Sequence, residues 1–238
     1  SLNAKSGFQL STPYLDDNGT PNDASDDTLY VGTISQYDDY EGGEWLTGTG
    51  SKVMALTGLD QNKPTVTNVL TGINSQINTP ITTDGTYLYF GTWPGGSNAG
   101  TYYQVKLSDY SVKTFTPDSY GFYWAGAVSD GTNVYFGSDN GVLHYRSIAD
   151  FKNTGSTVTL PATNGTAAGN VRSTVTADEA GNLYFTTQGG YLWCYTPDAS
   201  GVPVHQWHVK LAATSTSAPT VVNDGSTISI YTGYYSGF

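Results

Sequence analysis

Val128-Ser-Asp130-Gly131-Thr-Asn-Val134-Tyr135-Phe136-Gly137-Ser-Asp139-Asn140-Gly141-Val142-Leu143-His144-Tyr145 reads as strand, turn, strand, turn, strand. Asp130-Gly131 supplies a tight turn, because Gly accepts a positive φ at no steric cost and Asp bonds its own backbone. Val134-Tyr135-Phe136 is a β-branched and aromatic run that suits a pleated, buried surface. Asn140-Gly141 is a second hairpin signal, and the apolar residues after it begin the next strand.

The phrase recurs along the chain. Asp84-Gly85 precedes Leu88-Tyr89-Phe90-Gly91, Asp178 and Gly181 precede Leu183-Tyr184-Phe185, and Asp26-Asp27 precede Leu29-Tyr30-Val31-Gly32. Asp224-Gly225 precedes Ile228-Ser-Ile230. The central tyrosines Tyr30, Tyr89, Tyr135 and Tyr184 are separated by steps of 59, 46 and 49, and Phe185 to Ile230 spans 45. A unit of about 46 residues holding several short strands marks a β-propeller or a related array. The expected fold class is all-β: a β-propeller of four-stranded antiparallel blades, about five units with the last incomplete.

The expected units run over residues 8–72, 73–117, 118–161, 162–211 and 212–238. Within them the first strand, A, is expected at 7–15, 77–82, 124–129, 171–176 and 218–222. Strand B is expected at 29–33, 87–92, 133–137, 182–186 and 227–232. Strands C and D follow in the first four units, and D of the third is read at 157–160. A long acidic loop at 16–27 replaces the Asp-Gly turn of the first unit. Residues 35–50 form an insertion that lengthens the first step. No helical period of 3.6 is evident. Stacked units share one continuous core, so residues 1–238 are read as a single domain, complete or as a piece of a larger surface protein.

There are 20 acids against 9 bases, and nine of the acids lie before residue 45 with only Lys5 to offset them. A nucleic-acid partner is not expected, since phosphate contacts need clustered Lys and Arg. No run of 18 apolar residues exists, so no transmembrane helix or direct membrane insertion is expected. No signal-peptide pattern is read at Ser1, as would also hold for a trimmed mature chain. The lone Cys194 cannot form an internal disulfide, and alternating with Trp193 and Tyr195 it reads as blade packing. Few charges, many Thr, Gly, Asn and Tyr, and acidic loops suggest an extracellular or cell-surface protein.

The unit A, Asp-Gly, B (Val134-Tyr135-Phe136-Gly137), Asx-Gly, C (Val142-Leu143-His144-Tyr145) resembles the repeat of the quinoprotein-dehydrogenase-like β-propellers, whose units are also called pyrroloquinoline-quinone-like repeats. The resemblance covers residues 10–232. It implies four-stranded blades round a central channel, with the B–C and D–A loops on one face and the A–B and C–D turns on the other. It also implies that the quinone enzymes have eight blades, a calcium ion, a stacking Trp and often a vicinal cysteine pair. One cysteine and about five units depart from that pattern, so no quinone is expected, and fold alone does not assign activity.

If the B–C and D–A loops share a face, they gather Tyr37, Tyr40, Trp45, Trp93, Tyr120, Phe122 and Tyr123 into a ligand-binding surface. Flat rings with polar tips bury large area at low rotamer cost. Trp124, at the head of a strand A, reads as packing. The loop at 16–27 offers Asp16, Asp17, Asn18, Asp23, Asp26 and Asp27 as oxygen ligands for calcium, which takes six to eight of them; the alternative is a solvated acidic loop. Pro21 stands where an EF-hand loop needs Gly. Glu41 and Glu44 as a glycosidase pair are set against a solvated loop. His205 and His208, three apart on a strand, are expected on opposite faces and so not as a metal pair. Asn18-Gly-Thr20 and Asn164-Gly-Thr166 fit the N-glycosylation pattern in loops.

The function expected from these features is a non-catalytic extracellular module that binds or scaffolds a protein or glycan partner. The alternative is an enzyme, either a quinone-dependent oxidoreductase or a polysaccharide-active propeller.

Overall fold

The computed structural model describes residues 11–33, 37–41, 44–47 and 50–235. The part of the first expected strand before Ser11 lies outside the described residues, as do the side chains of Tyr37, Tyr40 and Trp45. The described chain is all-β and forms a series of antiparallel blades.

The first blade joins β1 (Tyr14–Asp16), β2 (Thr28–Gly32), β5 (Ser51–Thr57) and β6 (Thr65–Ile73) in sequence order. Between its second and third strands the insertion is not a plain loop. It forms a separate two-stranded sheet of β3 (Tyr37–Glu41) and β4 (Glu44–Thr47), with Tyr40 opposite Trp45 and Glu41 opposite Glu44. In the second blade, β7 (Gln76–Ile77) and β8 (Thr82–Thr83) both pair with β9 (Tyr87–Trp93), followed by β10 (Tyr102–Lys106) and β11 (Val112–Phe115). The third contains β12 (Val128–Ser129), β13 (Asn133–Gly137), β14 (Val142–Ser147) and β15 (Gly155–Thr159). The fourth contains β16 (Thr176–Ala177), β17 (Leu183–Thr187), β18 (Tyr191–Pro197) and β19 (Pro203–Lys210). A half-blade of β20 (Thr220–Asn223) and β21 (Ile228–Tyr231) follows.

The A strands are shorter than the sequence suggests, and the reason is chemical. Three residues before the paired part of A, a hydroxyl replaces the ladder. Gly91 N donates to Thr79 Oγ1 at 2.7 Å, and Thr186 N donates to Ser173 Oγ at 2.9 Å. The A backbone freed in this way bonds the preceding blade: Ile81 N to Thr12 O, Trp124 N to Asn78 O, and Val175 N to Gly126 O. No buried amide is left unpaired by the exchange at these positions.

The Asp-Gly turns carry a second bond. Asp84 Oδ1 accepts the amides of Thr86 and Tyr87, while its Oδ2 accepts the Tyr89 hydroxyl at 2.7 Å. Asp130 repeats this with Thr132, Asn133 and Tyr135, and Asp178 with Asn182 and Tyr184. One carboxylate thus caps the A–B turn and clips strand B to it. Asp224 caps its turn in the same way but has Ser229 where the tyrosine would stand.

Blades stack through their buried faces. Tyr30 and Val53 meet Ile77, Ile81 and Phe90. Tyr102 stacks on Phe136 with ring centroids 3.8 Å apart, and Phe122 and Phe151 complete that layer. Tyr135, Leu143 and Leu160 meet Val171, Phe185 and Trp193. Each such large apolar side chain contributes about 1.5–3 kcal/mol by leaving water. Close approach is set two residues after the central tyrosine. A Cβ at Gly137 would lie 2.2 Å from Val171 Cγ1, and one at Gly91 would lie 2.7 Å from Phe122 Cβ.

Strand β19 breaks the expected alternation. Tyr195 pairs with His205, Cys194 with Trp207 and Trp193 with His208, leaving Gln206 as an extra residue in a β-bulge. Because Tyr195 and Trp193 share a face of β18, His205 and His208 share one too. The expectation that they point to opposite faces is corrected by this one residue. Cys194 is buried in the blade, and burial pushes its thiol up to about 11.

Candidate functional site

A cleft of about 640 Å³ opens where two B–C loops meet two D–A segments. Its walls come from Trp93 at the end of β9 and Gly96 after it, Tyr120 before β12, Asp139 to Gly141 between β13 and β14, and residues between Leu160 and Arg172 before β16. The grouping of B–C with D–A segments on one face is therefore present in this part of the molecule.

At the centre lies a buried carboxylate. Asp139 accepts Trp93 Nε1 at 2.9 Å and Arg172 Nε at 2.6 Å, and Arg172 also bonds its second oxygen. These bonds raise the Arg172 pKa above its ordinary value, against the opposing effect of burial. The guanidinium lies 4.6 Å from the centroid of Tyr123, a cation–π distance. Trp93 meets Tyr123 edge to face at 4.9 Å, and Tyr123 meets Trp124 at 4.4 Å. The aromatic wall is thus locked to an ion pair whose charge is internally balanced.

The backbone beneath is held in unusual conformations. Tyr120 and Trp124 have φ of 65° and 56°, a region that costs a non-glycine residue roughly 1–2 kcal/mol. Tyr120 is fixed by bonds from its N to Ser97 O and from Gly100 N to its O. The two loops touch at glycines: a Cβ at Gly100 would lie 2.2 Å from Thr92 O and 2.8 Å from Gly121 Cα. Asn18, Tyr110 and Asn164 are the other non-glycine residues with positive φ among the described residues.

The structure sorts the expected aromatic residues. Trp93 and Tyr120 line the cleft, and Tyr123 stands behind Trp93 beside Arg172. Phe122 does not belong to the face: it is fully buried against Tyr102, Phe136 and His144. The irregular segment before β12 sends its side chain into the layer between the second and third blades. Trp124, read as packing, is half-buried and continues the aromatic row. Tyr37, Tyr40 and Trp45 belong to the β3–β4 hairpin. Asp139 and Arg172 were not singled out from sequence. The signal was slight: an Asp in an Asx-Gly turn, and an Arg at the head of a strand A in a chain with few bases.

The acidic loop is ordered by its own bonds. Asp16 Oδ1 accepts Asn18 N, Asp17 Oδ1 accepts Gly19 N, and Asp26 accepts both Asn18 Nδ2 and Thr20 Oγ1. Asp23 accepts the amide and hydroxyl of Ser25, which lowers its pKa. Asp27 is shifted up, first by desolvation and then by Asp26, Asp17, Asp23 and Asp16. Among the described residues no three His, Cys, Asp or Glu side chains gather in a metal-holding arrangement. Asn18 and Asn164 both sit at exposed turns with positive φ.

Among solved structures, the chain is similar to BamB from Moraxella catarrhalis, with a TM-score of 0.55 and 14% identity over 87% of this chain and 61% of that one. The fold is shared. A structural genomics protein of unknown function from Bacteroides thetaiotaomicron VPI-5482 also aligns, with a TM-score of 0.47 and 14% identity over 95% of this chain and 54% of that one. The chain therefore spans less than two thirds of the length of either protein. No protein-family model matches it, and no curated protein matches it in sequence. At 14% identity the likeness to BamB concerns architecture, and the repeat seen in the sequence agrees with that architecture.

Proposed function

We propose that this chain is a non-catalytic binding module of an extracellular or cell-surface protein, holding a protein or glycan partner in the cleft beside Trp93. The observation that carries the reading is the locked Trp93–Asp139–Arg172–Tyr123 cluster. Rigid aromatic faces offer contact area that loses little entropy on binding, and preorganisation raises affinity. The charge of Arg172 is already balanced by Asp139, so the wall suits an uncharged polar ligand rather than an anion. Asp139 is also committed to two donor side chains, which suits a structural role better than proton transfer. Acidic, charge-poor composition supports a place outside the cell.

The test is a glycan-array and surface-protein pull-down screen with the whole chain, repeated with Tyr120→Ala and Trp93→Phe. Loss of the captured partner in Tyr120→Ala, with melting temperature retained, is the expected result. Unchanged capture by both variants would remove the cleft from the account. Calcium at Asp16, Asp17, Asn18, Asp23, Asp26 and Asp27 is a separate proposal, supported by the number of oxygens in that loop. Metal-stripped protein titrated with calcium should release heat and melt higher; neither change would end it.

A further inference from the structure

We propose that His205 and His208 form a binding site for a late divalent transition-metal ion such as Cu²⁺, Ni²⁺ or Zn²⁺, on the rim between the third and fourth blades. The bulge at Gln206 puts both imidazoles on the Trp193 face of the outermost strand. His205 Nε2 and His208 Nδ1 are 3.2 Å apart. Two nitrogens bound to one ion at about 2.0–2.1 Å stand roughly 3.0 Å apart at right angles and about 3.4 Å apart at tetrahedral angles. The observed spacing falls between these limits, so the separation suits one bridging ion once each ring turns its lone pair off the line between the two nitrogens.

The rings are held where they stand. Trp193 lies 4.8 Å from the His208 ring and 5.6 Å from that of His205, with Tyr195 at 5.3 Å from His205. The two imidazoles stack with an interplanar angle of 27°. The other nitrogen of His208 is within reach of Thr163 Oγ1, an outer partner of the kind that orients a metal-bound imidazole. Metal binding needs neutral rings. Lys210, the nearest base on the strand, is turned to Gly189 O and the Tyr191 ring. In the free protein the pair is a single hydrogen bond between two imidazoles at the surface, which an ion replaces. Imidazole suits Cu, Ni and Zn, whereas Ca and Mg take oxygen ligands. With two protein ligands, the remaining positions are filled by water or by a group from a bound partner.

Trp193 beside the pair supplies the readout. Metal-free protein is titrated with CuCl₂ at neutral pH while tryptophan emission is followed, and binding of NiCl₂ and ZnCl₂ is measured by calorimetry. Saturable quenching at one ion per chain is expected. His205→Ala and His208→Ala should each weaken binding by at least the roughly 10–100-fold that loss of an outer partner costs, with melting temperatures unchanged in the absence of metal. The copper spectrum in paramagnetic resonance should show coupling to two imidazole nitrogens. The same midpoint in the double variant, or coupling to one nitrogen, would overturn the proposal.

Discussion

Tyr89, Tyr135 and Tyr184 each give their hydroxyl to the aspartate that caps the turn before their own strand. The rings lie in the buried faces, so the turn is tied to the stack by one side chain. Burial is the first cause of the raised pKa at Tyr135, followed by its bond to Asp130, so the phenol stays protonated and donating. Tyr135→Phe should lose about 0.5–1.5 kcal/mol, the net worth of an ordinary hydrogen bond, because the exposed Asp130 can turn to water instead. Asp130→Ala should lose more, because two amides lose their acceptor as well; urea unfolding of both variants checks the order. Gly137→Ala drives a methyl into Val171 and should destabilise by about 1–3 kcal/mol or more. His144 is buried with its Nε2 beside Ser138 Oγ, and desolvation, then Arg146, holds its pKa down to about 3. Between about pH 6.5 and 3 the unfolded chain binds a proton there that the native state refuses. Stability from this residue is therefore complete above 6.5 and falls as pH drops, by up to about 1.4 kcal/mol per unit. His205 is also shifted down and acts in the same direction. Urea midpoints at pH 7.5 and 5 should differ less in His144→Gln than in the parent. The repeated Asp and Tyr were legible as letters in the sequence. Their bond was not, because an Asp-Gly turn is already explained by backbone geometry alone.

At the scale of strands and loops, legibility followed periodicity. The B strands combine alternation with aromatic and β-branched residues, and the structure places them within a residue or two of expectation. Strand A was overread because Thr79 and Ser173 look like strand residues, while their hydroxyls in fact take over the ladder's acceptor role. A bulge leaves no mark in composition, so the shared face of His205 and His208 was hidden. Asp139 and Arg172 are 33 positions apart and meet only when a turn of the third blade reaches the segment entering the fourth. Arg172→Ala would leave the Asp139 carboxylate buried without its cation. That should cost about 3 kcal/mol and change the emission of Trp93, whose indole shares the carboxylate. Thermal unfolding followed by tryptophan fluorescence reads both effects.

At the scale of the molecule, the unit length gave the blade count because each unit must bury both faces against neighbours. In the half-blade Val222, Ile228 and Tyr231 are exposed. Every four-stranded sheet, by contrast, is woven from one unbroken run of the chain, and the backbone ladders do not cross from run to run. The turn at Thr163 to Thr166, with Asn164 and Gly165 exposed at its tip, falls between two such runs. Severing the polypeptide there cuts through no sheet. Residues 1–164 and 165–238, made as separate chains, should find each other through the Val171 and Trp193 layer and reassemble into one particle, detectable by co-elution and by recovery of the parent's tryptophan emission.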